Sequence, residues 1–188
     1  MSLPAGVALR QQQADEAAAV RAVVASAFGD AVVGDLEAAL ARRAGSMAYV
    51  AVAPGGVLGQ VRLTWGWLDA PERLVPVLVL SPLSVAPAWR RRGVGRALVA
   101  RAIAAAGEAG APLLFLEGDP AYYARCGFEP AGPLGFLRPS VRIPEPGFQV
   151  VRLPGHESWM TGALVYPDTF WEYDRVGLRD GGAEVARP

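Results

Sequence analysis

The chain has 188 residues, with 18 basic and 18 acidic side chains, so its formal net charge at pH 7 is zero. That length suits one domain with a substantial core, and zero net charge excludes bulk attraction to nucleic acid or an anionic membrane. Cys126 is the only cysteine and His156 the only histidine, which excludes an internal disulfide, a four-cysteine metal site and a histidine-rich zinc site.

Every basic residue is arginine, and asparagine is absent. With abundant Ala, Gly, Pro and Val, this reads as a GC-rich coding bias, so the missing lysine carries little functional weight. The amino terminus lacks a basic segment followed by an apolar run, so no secretion signal is expected. The most apolar stretch, Leu74 to Trp89, is interrupted by Pro76, Pro82 and Pro87. It is also shorter than the roughly 20 residues that span a bilayer. A cytoplasmic protein without a membrane segment is the expectation.

Val7 to Arg10 reads as a short first strand. Ala14 to Phe28 reads as a helix: Asp15 and Glu16 suit its first turn, Val20, Val23, Val24 and Phe28 fall at helical spacing, and Gly29 closes it. Asp30 to Arg43 is a second helical pattern, with Leu36 and Leu40 on one face. Met47 to Ala53 and Val57 to Trp67, around Pro54-Gly55-Gly56, form a hairpin signal. Trp65 and Trp67 lie two apart and face one side of that strand, where they either wall a pocket for an apolar or aromatic substrate or are core or sheet-surface aromatics. Asp69 to Arg73 reads as a loop.

Leu74 to Val85 is the next strand, the apolar centre of the sheet. Pro82 cannot donate to a ladder, so the strand must be broken, bulged or splayed there. Pro87 to Arg92 leads into a glycine turn, and Gly93 to Glu108 reads as a helix. Val94, Leu98, Arg101, Ala102 and Ala105 follow its period, and Gly110 lies beyond its end. A strand feeding a glycine turn that opens a helix makes an anion site, because the first N–H groups of the helix lack intrahelical partners. Gly93 and Gly95 remove side chains from the turn, and Arg90, Arg91, Arg92 and Arg96 surround it with charge. A pyrophosphate or phosphorylated cofactor is the implied ligand. A Walker loop is excluded by the missing Lys, and the dinucleotide fingerprint by Leu98 where a small third residue belongs.

Leu113 to Leu116 is a short buried strand that completes a βαβ unit. Asp119 is a good N-cap, Pro120 a good first helical residue, and Gly127 a helix end. Pro130 to Gly147 is Pro- and Gly-rich and long for a connection, which suggests a lid or acceptor-site wall. Phe148 to Leu153 and Met160 to Tyr166, around Pro154-Gly155, read as a closing hairpin of the sheet. Pro167 to Tyr173 reads as a short aromatic helical turn, and Asp180 to Pro188 as a frayed tail, within a flexible end that starts near residue 178.

Two motifs carry a resemblance. Arg90-x-x-Gly93-x-Gly95, preceded by Leu-x-Val-x-Pro, resembles motif A of the general N-acetyltransferase (GNAT) superfamily. Tyr123-x-x-x-Gly127-Phe128 resembles its motif B. The wording Gly-Asp-Pro-x-Tyr-Tyr-x-Arg-x-Gly-Phe is similar to the YhbS-like branch of predicted N-acetyltransferases. The resemblance covers residues 7 to about 175, and its motif-level support lies within 83 to 128.

The resemblance implies an α/β (α+β) fold: one domain over 1–188, a mixed sheet of about six to seven strands, and about four flanking helices. The fourth and fifth strands are expected to splay and admit the pantetheine arm of acetyl-CoA. Leu83, Ser84 and Val85 would meet that arm through their backbone. Arg90, Arg91, Arg92, Gly93, Val94, Gly95 and Arg96 would hold the pyrophosphate, and Tyr123 would reach the cofactor sulfur and act as general acid. The loop between the first two helices, Phe28 to Gly34, would border the acceptor site.

The implied activity is acetyl transfer from acetyl-CoA, as co-substrate, to a primary amine by direct attack, with no metal. Family members commonly place a glutamate on the fourth strand; here that strand carries Ser81 and Ser84 instead. Glu117, at the exit of the short strand, is the best-placed remaining base, the alternatives being water or the substrate's own low pKa. The alternative function is a non-catalytic acyl-CoA-binding module of the same fold. Nucleic-acid binding is disfavoured, because the arginines are confined to one turn. The acceptor's identity and the choice between monomer and homodimer are left open.

Overall fold

The structure is a computed structural model, and it describes residues 3–177 and 179. The predicted tail from Asp180 to Pro188 lies outside the described residues.

In chain order the elements are β1 (Ala8–Gln11), α1 (Ala17–Phe28), α2 (Ala31–Ala41), β2 (Met47–Ala53), β3 (Gly56–Asp69) and β4 (Leu74–Val85). Then come α3 (Val94–Glu108), β5 (Leu113–Glu117), α4 (Pro120–Tyr123), β6 (Glu129–Pro130), β7 (Phe136–Leu137), β8 (Phe148–Arg152), β9 (Gly162–Val165) and α5 (Asp168–Glu172). The helix expected from Ala14 begins as a 3-10 turn over Ala14–Glu16. There the Gln13 N–H donates to Glu16 at 2.8 Å, and Arg10 pairs with the same carboxylate at 2.6 Å. Gly29, at φ +66°, ends α1, and Asp30 starts α2 by accepting from the Val32 N–H at 2.9 Å.

Among the described residues the strands form one mixed sheet of nine, in the order β1-β2-β3-β4-β5-β8-β6, with β9 paired to β3 and to β7. Two of the nine, β6 and β7, are 2 residues long, so the longer strands match the expected size of the sheet. β4 and β5 are parallel, and α3 makes the crossover between them.

The closing hairpin is not formed. β8 runs antiparallel to β5, with Leu113 opposite Arg152, whereas β9 takes the edge of β3 at Trp67–Asp69, beyond the point where β2 stops. A strand goes where an unpaired edge offers its ladder bonds, and these two segments found different edges. The long connection from Pro130 to Gly147 is folded rather than open, and its Ile143, Pro144 and Gly147 bound a cavity beside Glu117. It holds β6, β7 and two 3-10 turns, and buries Ala131, Phe136 and Ile143.

Alternation along the strands gives the sheet two apolar faces. On one face, α3 packs Val94, Leu98, Ala102 and Ala105 against Val61, Leu63, Leu78, Leu80, Leu114 and Leu116. On the other, α2 and α5 cover Val75, Val77, Val79, Leu113 and Phe115, and α1 covers Val50 through Val20 and Val24. Each fully buried side chain of this kind contributes roughly 1.5–3 kcal/mol. The second face also carries a buried ion pair: Arg62 of β3 meets Glu37 of α2 at 2.5 Å, with side chains 4% and 2% exposed. Arg62 donates further to Ser46 Oγ at 2.8 Å and Gln12 Oε1 at 3.0 Å.

Candidate functional site

β4 and β5 pair only at Leu78–Leu114 and Val79–Phe115. Beyond that point β4 turns away with β3, and β5 continues with β8 through Glu117–Phe148. The register between β3 and β4 shifts between Val61 and Leu63, opposite Ser81 and Pro82. The expected irregularity at Pro82 is therefore a bulge in a continuous strand, and it coincides with the start of the gap. Leu83, Ser84 and Val85 face Val61, Gln60 and Gly59 on one edge, and their other edge borders the gap. Ser84 Oγ and Gln60 Oε1 are buried there with no hydrogen-bond partner.

At the end of β4, a 3-10 turn over Pro87–Trp89 leads to the arginine-glycine turn. Arg91 (φ +59°) and Gly93 (φ +86°) both take the left-handed conformation. That conformation costs a residue with a Cβ about 1–2 kcal/mol and costs Gly little. The first α3 bond runs from the Ala97 N–H to the Gly93 carbonyl at 3.1 Å, so the N–H groups of Val94 and Gly95 precede the helical ladder. The arginines divide. Arg90 is turned back onto the fold, donating to Val85 O at 3.3 Å and Ala27 O at 2.5 Å. Arg92 lies over the Trp89 ring at 5.2 Å, and Arg96 reaches Arg125 O at 3.4 Å.

β5 leaves the sheet at Glu117 and enters α4, where Asp119 caps by accepting from the Ala121 N–H at 2.9 Å. The Tyr123 ring lies across Gly118: a Cβ on that glycine would come within 2.3 Å of the ring. Tyr122 and Phe128 meet the same ring edge-on, at 4.9 and 5.7 Å. Burial pushes the Tyr123 hydroxyl well above the ordinary phenol range. Tyr122, read from the sequence as packing, extends its hydroxyl toward the α3 turn; a Cβ on Gly95 would lie 2.6 Å from it. Burial raises this phenol to about 12. Cys126 is half-buried with its Sγ 3.7 Å from Tyr122 O, and burial raises its thiol.

On the opposite face of the sheet, the gap opens beside a cavity of about 370 Å³. Phe28, Val33, Leu36, Pro82 and Phe170 form its apolar wall, and Asp30, Ser81, Glu117, Tyr166 and Arg175 supply its polar groups. Burial lifts the Glu117 carboxyl above its usual range, and the facing Tyr166 hydroxyl, the Gly177 N–H and the Arg142 charge pull partly the other way. Tyr166 is buried, and burial together with the Glu117 charge raises its phenol strongly. Arg175 Nη2 pairs with Asp30 Oδ2 at 2.5 Å. Its Nε is buried without a partner. A smaller cavity of about 290 Å³ adjoins, sharing Glu117 and Arg175 and bounded by Ile143, Pro144 and Gly147.

Of the Phe28–Gly34 segment, Phe28, Asp30 and Val33 line this cavity. Glu117 and Tyr123 flank the end of β5 from opposite faces. Trp65 and Trp67 line a separate groove with Arg42, Arg43 and Pro76, which shares no residue with the Glu117 cavity. The half-buried Trp65 packs against the α3-side core, whereas Trp67 is exposed. His156 lies edge-on to Phe136 at 6.4 Å, outside that cavity. Tyr166, Phe170 and Arg175 escaped the sequence reading. Their segment carries no motif, and only folding brings it beside the α1–α2 connection.

Among the described residues, no three His, Cys, Asp or Glu side chains are grouped to hold a metal ion, and no helix is long and apolar enough to cross a membrane.

Residues 44–130 match the family model described as an acetyltransferase (GNAT) domain. A curated relative, the uncharacterized N-acetyltransferase YjhQ of Escherichia coli (strain K12), is 35% identical over 138 residues, spanning 69% of this chain and 74% of the relative. Among solved structures, the chain is similar to the GNAT family N-acetyltransferase YhbS from Escherichia coli in complex with CoA. The identity is 26%, the coverage 95% of this chain and 96% of that one, and the TM-score 0.79. A GNAT family acetyltransferase from Brucella melitensis, in complex with acetyl-CoA, is 25% identical over 87% of this chain and 97% of that one, with a TM-score of 0.70.

Proposed function

The chain belongs to the GNAT acetyltransferase family, and from that premise we propose that it moves an acetyl group from acetyl-CoA to a primary amine by direct attack. The observation that carries this reading is the gap between β4 and β5. The Glu117 cavity lies beside its start, where Ser81 and Pro82 line it, and the arginine-glycine turn follows the end of β4. The two relatives with bound CoA and acetyl-CoA support the donor.

On this reading the whole chain acts as one acetyltransferase domain, in the cytoplasm. The N–H groups of Val94 and Gly95, with Arg91, Arg92 and Arg96 around Gly93, hold the pyrophosphate. Arg90 contributes by holding the turn against α1. The free edge of Leu83, Ser84 and Val85 pairs with the pantetheine arm as a neighbouring strand would, and the orphaned Ser84 Oγ offers it a further polar contact.

The acceptor amine enters the cavity in its neutral form and attacks the thioester carbonyl. A backbone N–H near Val85 stabilises the oxyanion. As the C–S bond breaks, the Tyr123 hydroxyl donates to the departing sulfur. Because burial holds this phenol above its usual range, it stays protonated at every working pH. It is then a weaker acid than a thiol, so its main contribution is the hydrogen bond to sulfur. The proton shed by the amine goes to Glu117, directly or through water. A carboxyl raised toward neutrality is better matched to that task than an ordinary one. The products are the acetamide and CoA thiolate, which takes a proton from water to become the thiol as Glu117 returns its own proton to solvent.

Calorimetric titration with acetyl-CoA and CoA, with NAD as control, followed by thiol release over an amine panel, tests the proposal. Micromolar binding of both CoA species with amine-dependent thiol release is expected. Binding without release from any amine would leave a non-catalytic acyl-CoA-binding module, and no binding at all would overturn the reading.

A further inference from the structure

The acceptor cavity has a definite chemistry. Its volume of about 370 Å³ is space for roughly a dozen water-sized groups, at the small end of ligand pockets. Its charges are nearly used up internally. Asp30 and Arg175 neutralise each other at 2.5 Å. Asp30 also caps α2, so its carboxylate is committed twice. Glu117 is the remaining carboxyl, and it lies inside the cavity rather than at its rim. Ser81 and Tyr166 add two uncharged hydroxyls, and the rest of the wall is Phe28, Val33, Leu36, Pro82 and Phe170. Val33, Leu36 and Phe170 are buried, while Phe28 is 51% exposed and forms the mouth.

We propose that the acceptor is a compact primary monoamine with an uncharged, apolar body. Its nitrogen is directed at Glu117 and its body packs against Phe28, Val33, Leu36 and Phe170. This inference rests on the acetyl-transfer reading and adds the substrate class to it.

The alternatives fit less well. A polyamine or aminosugar brings further cations, and the apolar wall has no carboxylate for them. Burying an unpaired charge is among the costliest events in an interior. A free amino acid brings a carboxylate that must sit beside the two acidic groups Asp30 and Glu117, and Arg175, which lines the same cavity, already balances Asp30. A lysine within a folded protein cannot bring its backbone into so small a cavity. An apolar monoamine brings no second charged or polar group that must be paired, and its body gains the usual free energy of apolar burial.

The test is thiol release from acetyl-CoA by the full chain, with calorimetric titration of CoA run alongside. The probes are 2-phenylethylamine and n-hexylamine against spermidine, an aminosugar, free lysine and a lysine-containing peptide. The apolar monoamines should exceed every other probe by about tenfold or more in kcat/KM, a margin that apolar pocket contacts can supply. Phe28→Asp, at an exposed mouth position that folding tolerates, should lower that advantage and raise turnover of spermidine. Val33→Asp should do the same more strongly if it folds. CoA binding with turnover confined to polyamines, amino acids or peptide overturns the substrate class and leaves acetyl transfer standing. CoA binding with no turnover of any probe, or no CoA binding, overturns the inference together with the reading beneath it.

Discussion

Arg175 and Asp30 stand 145 positions apart in the chain, yet their guanidinium and carboxylate meet at 2.5 Å on the cavity rim. Asp30 uses its other oxygen to cap α2 through the Val32 N–H. One side chain therefore starts a helix and anchors the segment after α5 across the Glu117 cavity.

The two duties of Asp30 separate by substitution. Arg175→Ala and Asp30→Asn remove a partly exposed ion pair and should each cost no more than about 1 kcal/mol. Asp30→Ala also removes the cap and should cost about 1 kcal/mol more. Urea denaturation checks the order. All three variants should raise the acceptor KM while leaving CoA affinity unchanged.

Glu117→Gln should lower kcat by about 10²-fold or more and abolish the acid limb of the pH–rate profile. In the unaltered protein that limb should lie above the ordinary carboxyl value of 4.5, because burial raises Glu117. The stability effect has a definite sign. The folded protein holds this proton more tightly than the unfolded chain does, so folding is favoured below the unfolded value. That advantage is lost as pH rises through the folded one. Glu117→Gln should therefore gain stability relative to the unaltered protein at pH 8 but not at pH 4. Melting curves at both pH values check this, and a larger deficit at pH 8 would rule out the assignment.

Tyr123→Phe should leave CoA affinity within about twofold while lowering kcat by about 10²-fold. The ring keeps its contacts with Gly118, Tyr122 and Phe128, so near-unchanged melting should accompany the loss. Equal turnover would remove Tyr123 from the mechanism.

Gly93 combines two requirements that paired variants tell apart. Gly93→Ala forces a Cβ onto a backbone at φ +86° and should cost about 1–2 kcal/mol of stability. Gly93→Glu carries the same strain and places a carboxylate at the turn. CoA affinity should fall far more for Glu than for Ala. Equal losses would mean that the turn's shape, and not its electrostatics, is what matters.

Glu37→Ala leaves Arg62 charged and buried without its carboxylate, since both side chains are under 5% exposed. The cost should be about 3–5 kcal/mol, visible by urea denaturation. Glu37→Gln retains an acceptor for Arg62 and should cost less.

Much of the frame was legible locally. Helix ends were marked by Gly29, Asp30 and Asp119, whose effects depend on a few neighbouring atoms. Pro82 announced the irregular strand, and Gly93 with Gly95 announced the turn at the start of α3. The Phe28–Gly34 segment was read as bordering the acceptor site, and it lines the cavity. What misled was chemistry that depends on a distant partner. The segments of β8 and β9 look like hairpin arms, but nothing within them reveals that β5 and β3 hold the open edges. Arg90 belongs to a cationic cluster in sequence, whereas in space it is spent on the carbonyls of Val85 and Ala27.

The sequence by itself determined the helix ends and the arginine-glycine turn at the start of α3, because these rest on short-range sterics, capping and spacing, and its two motifs carried the resemblance to the family. Only the tertiary structure decided the Glu117 cavity. Asp30, Glu117, Tyr166 and Arg175 come from four separate segments, and their charges take on meaning only once folding has removed water and set each beside its partner. The desolvation that raises Glu117, the pairing that neutralises Asp30 and the gap between β4 and β5 are all properties of packing, which no local pattern encodes.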